Sequence, residues 1–195
     1  MTSSTAARPR RELLLQSAAD LFSAKGYHAV GIDDIGAAAG ISGPGVYRHF
    51  PSKQALLEAL CDRATSSMLE GARGIPAAHT EPAAALEALV DLHVDFAVAR
   101  RALLGVWTRE QRALSDEVRR SLRRRLRAYE QPWREVLAQL RDDLEPDEIT
   151  VAVTATLSML NMAAIVDADI PAERLAKLLR RMALSALLAR RPPRR

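Results

Sequence analysis

Four side chains that can bind phosphate lie close together in the sequence, just after a short glycine- and proline-rich stretch. They are Tyr47, Arg48, His49 and Lys53, and they follow Gly43-Pro44-Gly45. A phenol hydroxyl, a guanidinium group and an imidazole N–H can each donate a hydrogen bond to a phosphate oxygen, and arginine can also read the edge of guanine. Lys53 adds a point charge. This grouping predicts a surface that binds a polyanion.

The first of two short helices predicted to position this surface runs from Ile32 to Ala39. Ile32, Ile35 and Ala39 are three and four residues apart, so they share one face of the helix. Gly31 is a workable N-cap residue. Gly40 is expected to end the helix in a left-handed conformation, which only glycine adopts without strain.

The second helix is predicted from Gly43 to Phe50. Ser42 can cap it, and Pro44 is tolerated in the first turn because its missing N–H has no partner there. Val46 and Phe50 are four residues apart and predict the inward face of the helix, beside the phosphate-binding side chains.

Two helices joined by a short turn that contains glycine form a helix-turn-helix, whose second helix enters the DNA major groove N-terminus first. Gly43, Pro44 and Gly45 offer no side-chain hydrogen bond at that N-terminus. Base readout would therefore come from backbone groups, from Pro44 against a thymine methyl group, and from Arg48 or Tyr47. We expect tight phosphate contacts and few direct base contacts.

Four segments resemble the N-terminal DNA-binding domain of the TetR family of transcriptional repressors, over roughly residues 10 to 65. The resemblance implies an all-helical homodimer, with three N-terminal helices on DNA and a larger helical domain that binds a small effector and forms the dimer. It places DNA contacts at Ser42, Gly43, Pro44, Tyr47, His49 and Lys53. The segments that carry it are Lys25-Gly26-Tyr27, Ile32-Asp33-Asp34-Ile35, Ala39-Gly40-Ile41-Ser42 and Tyr47-Arg48-His49-Phe50-Pro51-Ser52-Lys53.

The chain departs from the family pattern at two glycines. Gly31 stands where the family usually has serine or threonine, which removes a hydroxyl that often binds a phosphate. Gly36 stands where alanine is usual, and by helix propensity this would destabilise the first helix of the motif by about 1 kcal/mol.

Composition favours helices packed on helices. The 195 residues are 48% hydrophobic but only 4% aromatic, and strand patterns are nearly absent, which predicts an all-α fold of about nine helices. The net charge of +4 permits a polyanion partner. Residues 100–134 hold eleven arginines against four acids, whereas residues 1–50 hold five lysines or arginines against four acids. The excess positive charge therefore lies mostly outside the predicted DNA-binding helices.

Cysteine usage and hydropathy bound the function further. Cys61 is the one cysteine, which excludes an intrachain disulfide, and the lack of a Cys/His cluster argues against structural zinc. No apolar run reaches the length of about 18 residues that a membrane span needs. We expect a cytoplasmic protein with no cofactor, no metal and no membrane partner.

The chain divides into four predicted parts. Residues 1–9 are expected to be a disordered basic arm, in which Arg8, with Arg10 and Arg11 just after it, either touches DNA or only solubilises the chain. Residues 10–68 form the DNA-binding domain with its connecting helix, and residues 69–189 form the effector-binding and dimerisation domain. The last two helices of that domain are the expected dimer interface, and residues 190–195 are a loose basic tail.

Nine side chains in the C-terminal domain are candidates to line an effector cavity. Among them, Asn161 is a single amide in an otherwise apolar helix, so its partner would be a ligand, a backbone group or the same residue of a second subunit. His93 lies between Asp91 and Asp95, a pattern that fits either a metal site or a solvated acidic face. The candidates are Met68, His93, Phe96, Trp107, Tyr129, Trp133, Met159, Asn161 and Met162.

Three functions fit these patterns. The first is a homodimeric, sequence-specific repressor that a small hydrophobic effector releases from its operator. An acyl-coenzyme A thioester is one candidate effector, because the arginines between Arg119 and Arg127 form either a solvated face or an anion site for its phosphates. The second is a helical-bundle enzyme, for which the sequence offers no nucleophile with a base, no metal spacing and no phosphate loop. The third is a DNA-binding regulator without an effector.

Overall fold

A computed structural model describes most of the chain as helix. It covers residues 4–163, 166 and 169–190, with the side chains of all of these except residues 4–9, 107 and 111. No strand occurs within these ranges, which confirms the all-α class. The helices are α1 (Ser4–Lys25), α2 (Ile32–Ala38), α3 (Gly43–Tyr47), α4 (Lys53–Arg73), α5 (Ile75–Ala78), α6 (Pro82–Ala99), α7 (Arg101–Arg109), α8 (Asp116–Leu140), α9 (Pro146–Met162) and α10 (Ala172–Leu188), with a 3₁₀ turn at Gln111–Ala113.

The helices belong to two compact units. The first unit contains residues up to 64 together with residues 102–122, and the second contains residues 65–101 and those from 123 onward. The division falls inside α4, close to the boundary expected near Met68. Residues 102–122 differ from the expectation, because the sequence reading assigned them to the C-terminal domain.

Contacts made by the segment after α7 explain why residues 102–122 pack in the first unit. The Tyr27 N–H donates to Glu110 Oε1 at 3.1 Å, and Arg109 Nη2 donates to the Ser23 carbonyl at 3.2 Å. Both bonds fix the C-terminal end of α1. Sequence spacing does not reveal them, since the partners are more than eighty residues apart along the chain.

Aromatic and aliphatic side chains of α1, α3 and the loop between α1 and α2 form the core of the first unit. Phe22, Tyr27 and Phe50 are all buried, as expected, and the rings of Phe22 and Tyr27 meet edge to face with centroids 5.2 Å apart. Arg11 places its guanidinium 4.7 Å from the centroid of the Phe50 ring. Its predicted role in a DNA-touching arm therefore competes with this cation–π contact.

Two glycines set the geometry of the helix-turn-helix. Gly40 ends α2 with φ of 68°, the left-handed conformation predicted for it. At Gly36 a Cβ atom would lie 2.7 Å from the carbonyl oxygen of Ile41, so α2 and the turn approach too closely for a side chain. The prediction that Gly36 only weakens α2 was therefore incomplete, because in this chain its missing side chain permits close packing.

The second unit is held together by apolar contacts among α4, α6, α8, α9 and α10. A buried arginine fixes one end of it: Arg141 binds both carboxylate oxygens of Asp143, at 2.7 and 2.9 Å, and donates to the Leu187 carbonyl at 2.7 Å. Because this guanidinium is nearly inaccessible to water, these three bonds satisfy a charge that would otherwise be costly to bury.

Several helix boundaries differ from the sequence prediction. α1 begins at Ser4, so residues 4–9 of the expected disordered arm are helical, in keeping with the high helix propensity of Ala6 and Ala7. α4 continues to Arg73 through the stretch expected to be a loop. α8 runs past Pro132, where an interruption was expected. The predicted tail beyond residue 190 lies outside the described residues.

Candidate nucleic-acid interface and effector core

Helix α3 is anchored to the first unit by its inward side chains. Val46 is 0% exposed and Phe50 is 2% exposed, and the backbone N–H of Phe50 donates to the Val46 carbonyl at 3.0 Å. The regular helix ends at Tyr47, earlier than the predicted end at Phe50. Pro51 explains the early end, because the residue before a proline is disfavoured in the α conformation.

The outward side of α3 carries the predicted phosphate-binding groups. Tyr47 is 54% exposed, Arg48 and Pro44 are exposed, and His49 is partly exposed. Ser42 occupies the N-cap position, with φ of −73° and ψ of 155°, but its hydroxyl makes no capping hydrogen bond. Because this hydroxyl is exposed, it can still donate to a ligand.

Two glycines flank Pro44 in this surface. Gly45 is partly exposed, whereas Gly43 is buried. Gly43 is therefore the predicted DNA contact that is least accessible. The helix before it is capped as expected, since the Gly31 N–H donates to Asp34 Oδ2 at 2.8 Å.

The ammonium group of Lys53 is occupied by the protein's own backbone. Lys53 Nζ donates to the carbonyls of Tyr27 and Val30, at 2.9 and 2.8 Å, and lies 4.5 Å from the centroid of the Tyr27 ring. These bonds use most of the donors that a lysine has. The expected phosphate contact of Lys53 is corrected here to a structural role, that of holding the loop between α1 and α2.

Most of the candidate effector residues meet in the core of the second unit. Met68, His93, Tyr129 and Trp133 are buried there, and Phe96 and Met159 pack against them. Asn161 joins the group through a hydrogen bond to His93.

Two candidate effector residues fall outside this core. Met162 is 48% exposed and lies on the outward face of α9, so its predicted place in a cavity lining was wrong. The physical reason is helical periodicity, since Met162 follows Val151 and Ser158 at spacings of three to four residues and multiples of them. The side chain of Trp107 lies outside the described residues.

A buried chain of hydrogen bonds links three polar side chains of the second unit. His93 Nδ1 is 2.8 Å from the Tyr129 hydroxyl, and His93 Nε2 is 3.1 Å from Asn161 Oδ1. If Nδ1 carried the proton, the buried Tyr129 hydroxyl would have no acceptor. We therefore infer that Tyr129 donates to Nδ1 and that the Nε2–H donates to Asn161.

Burial keeps this chain uncharged. It lowers the pKa of His93 to about 4, an effect that the hydrogen bond to Asn161 partly offsets, so the imidazole is neutral near pH 7. Burial also raises the pKa of the Tyr129 hydroxyl, and the nearby indole of Trp133 offsets part of that rise. The rings of these three residues are 5.9 to 6.2 Å apart.

Trp133 contributes a donor that has no partner. Its side chain is 0% exposed, and its indole Nε1 makes no hydrogen bond with any described residue. An unpaired buried N–H costs about 1–3 kcal/mol.

The groups that could support an enzyme or a metal site do not assemble. Burial raises the pKa of the Cys61 thiol to about 12, which disfavours the nucleophilic thiolate. Asp91 and Asp95 both bind Arg180, whereas His93 faces Tyr129, so the three candidate ligands do not converge. No group of three or more metal-ligating side chains occurs in the part of the chain that the structure describes. None of the described helices is long and apolar enough to cross a membrane.

Two family models match the chain. One is described as "Bacterial regulatory proteins, tetR family" and matches residues 14–60, and the other is described as "Tetracyclin repressor-like, C-terminal domain" and matches residues 79–165. Together they cover the helix-turn-helix and most of the second unit. The fold and these matches define a helix-turn-helix regulator of the bacterial type. The chain belongs to the TetR family of transcriptional regulators.

Individual relatives share shorter segments with the chain. It is 38% identical to the transcriptional activator FasR of Mycolicibacterium smegmatis over 87 residues, 45% of this chain and 40% of that protein. It is 31% identical to the transcriptional repressor KstR2 of Rhodococcus jostii over 105 residues, 54% of this chain and 52% of that protein. The matched segments thus span about half the length of these relatives.

The fold also resembles a solved complex. AibR in complex with isovaleryl coenzyme A and operator DNA has a TM-score of 0.74 and 21% identity, over 89% of this chain and 97% of that chain. At this identity the likeness concerns the fold.

The occupied ammonium of Lys53 leads to a stability prediction. Lys53→Met should lower the free energy of unfolding by about 1–3 kcal/mol, because two carbonyls of the α1–α2 loop lose their donor. Urea unfolding followed by circular dichroism measures the loss. Lys25→Met is the matched control, since Lys25 is exposed at the end of α1. Equal effects of the two substitutions would contradict the structural role of Lys53.

The neutral state of His93 leads to a pH prediction. Its pKa in the folded protein, about 4, is below the ordinary value of 6.5, so its contribution is present above pH 6.5 and is lost as the pH falls toward 4. The unfolded chain takes up this proton first, which should cost about 2 kcal/mol of stability by about pH 5.

Urea unfolding at several pH values tests this contribution. In His93→Gln the part of the pH dependence between pH 6.5 and 4 should disappear, whatever the stability of the variant at neutral pH. His28→Gln, at an exposed histidine, should keep it. An unchanged pH dependence in His93→Gln would show that this imidazole titrates normally in the folded protein.

Proposed function

We propose that this protein is a homodimeric transcriptional repressor that binds a pseudo-palindromic operator and is released by a small hydrophobic effector. The observation that carries the DNA-binding part is the two-sided character of α3. Its inward residues Val46 and Phe50 are buried, while Tyr47 and Arg48 project outward. A helix fixed on one side and exposed on the other can enter a major groove without unfolding the domain behind it.

The contacts that α3 can make are mostly phosphate contacts. The hydroxyls of Tyr47 and Ser42 can donate to phosphate oxygens, and Arg48 can bind a phosphate or the edge of guanine. Pro44 is exposed and can contact a thymine methyl group. Binding to an operator would place the protein in the cytoplasm.

An uncharged exposed surface on α9 supports the homodimer. Five exposed positions at helical spacing carry no charge, and two of them are large apolar residues, Val151 at 67% exposure and Met162 at 48%. The C-terminal part of α10 adds exposed Met182 and Leu188. A second copy of this chain is the occupant that a symmetric operator requires. The five positions are Val151, Thr154, Ala155, Ser158 and Met162.

The effector part of the proposal is supported by the core of the second unit. A polar cluster inside an apolar core, with one donor unpaired, is an arrangement that a ligand can complete. The exposed arginines Arg123, Arg124 and Arg127 of α8 can accept the phosphates of a coenzyme A thioester. The AibR complex supports this choice by its printed ligand.

The direction of regulation follows the family resemblance. Of the two named relatives, KstR2 is a repressor and FasR is an activator. An effector that prefers the conformation unsuited to the operator weakens DNA binding by its differential affinity for the two states. This would relieve repression.

Loss of the Tyr47 side chain should weaken operator binding. Tyr47→Ala is expected to reduce affinity for the DNA upstream of the protein's own gene about tenfold or more, because one phosphate hydrogen bond and its ring contacts are lost. Gel-shift titration measures the change. Thermal unfolding of the variant should match the wild type, since Tyr47 is exposed.

A matched pair of arginines separates specific contact from net charge. Arg48→Ala should weaken the shift, whereas Arg112→Ala, which removes the same charge from an exposed position of the first unit, should leave it nearly unchanged. Full binding by Tyr47→Ala and Arg48→Ala would refute the assignment of α3 as the DNA-binding helix.

A further inference from the structure

The unpaired donor in the second unit selects the chemistry of its partner. Trp133 Nε1 is fully buried and has no acceptor among the described residues. An indole N–H can only donate, so only a hydrogen-bond acceptor can satisfy it. Leaving it unpaired destabilises the folded protein without an evident structural return.

The neighbours of Trp133 cannot supply this acceptor. The rings of His93 and Tyr129 are both 6.2 Å from the Trp133 ring, and their nearest polar atoms already bond to each other. The other imidazole nitrogen bonds to Asn161 Oδ1. The amide nitrogen of Asn161 then has no acceptor within the described ranges. The cluster therefore offers further N–H donors on both sides of His93.

The surroundings exclude a charged partner. The buried core around Trp133 contains no lysine, arginine, aspartate or glutamate, and His93 is neutral. A carboxylate placed there would be a buried anion without a counter-charge, which is strongly unfavourable. A neutral carbonyl oxygen accepts the same hydrogen bonds without that cost.

We propose that Trp133 Nε1 and the amide of Asn161 bind the carbonyl oxygen of an uncharged, largely apolar effector group, such as an ester, a thioester or a ketone. This inference rests on the proposed effector response and names its ligand class. The apolar part of the effector packs against Met68, Met159 and Phe96, of which the methionines adapt readily to different shapes. Free fatty acids in their carboxylate form are rejected.

The decisive substitution is Trp133→Phe, which keeps an aromatic ring but removes the N–H. Without ligand, the variant should melt at the same temperature as the wild type or higher, because the unpaired donor is gone. Its affinity for a carbonyl ligand should nevertheless fall about tenfold. A merely structural role for Trp133 would lower both quantities together.

The probes are methyl esters from hexanoate to dodecanoate, each compared with the carboxylate of the same chain length. Ligand-induced thermal shifts, titrated to give affinities, are measured on the full chain. Wild-type protein should be stabilised by at least one ester and by none of the matching carboxylates. Coenzyme A thioesters of the same chains then distinguish a thioester source from a simple ester.

A second variant tests the amide side of the site. Asn161→Asp keeps an oxygen for the His93 Nε2–H but has no amide N–H, so ester affinity should fall while the bond to His93 persists. The proposal is overturned if no ester binds, if carboxylates bind as well as esters, or if Trp133→Phe binds esters as tightly as the wild type.

Operator binding gives an independent readout. Wild type and Trp133→Phe should shift the upstream DNA equally well in the absence of a probe. If neither shifts DNA while the ester pattern holds, the carbonyl site stands and the proposed regulatory function fails. If both shift DNA but esters do not bind, the regulator stands and the carbonyl site is refuted.

Discussion

The close packing of α2 against α3 is the constraint on which the DNA-facing surface depends. Helix α3 has five residues, too few to be stable as an isolated helix. It is held by the burial of Val46 and by the absence of a side chain at Gly36, where a Cβ atom would be 2.7 Å from the Ile41 carbonyl oxygen. Because this contact fixes the inward side, Tyr47 and Arg48 have a defined outward direction.

The second unit applies a different constraint, the cost of burying polar groups. Its core accepts Tyr129, His93 and Asn161 because each hydrogen bond in the chain satisfies the next member. Trp133 is the exception. A fully apolar core would be simpler to build, so the retained polar cluster is most readily explained by recognition of a ligand. In physical terms, the stability of this unit and its response to an effector involve the same side chains.

Sequence spacing predicted the parts of this fold that depend on local chemistry. The turn at Gly40, the buried pair Val46 and Phe50, and the outward Tyr47 all follow from helical periodicity and from glycine's access to positive φ. The role of Lys53 did not, because its carbonyl partners lie more than twenty residues earlier in the chain. A positive charge near a DNA-binding helix is equally compatible with phosphate and with a backbone carbonyl.

The same limit applies to the candidate effector site. A polar residue in an apolar helix indicates that Asn161 needs a partner, but its neighbour Met162 reads as equally apolar and turns out to be exposed. Only the angular position on α9 separates them. The absence of an acceptor at Trp133 depends on the packing of three helices, and no sequence pattern contains it.

Directed cleavage of operator DNA tests most directly the claim that α3 enters the major groove in two copies. Ala38→Cys places an iron chelate on the exposed side of α2, and Cys61 does not compete because its thiol is buried. We expect two cleavage windows about one helical turn apart, roughly 34 Å along the duplex. A single window, or cleavage spread along the whole duplex, would contradict the account.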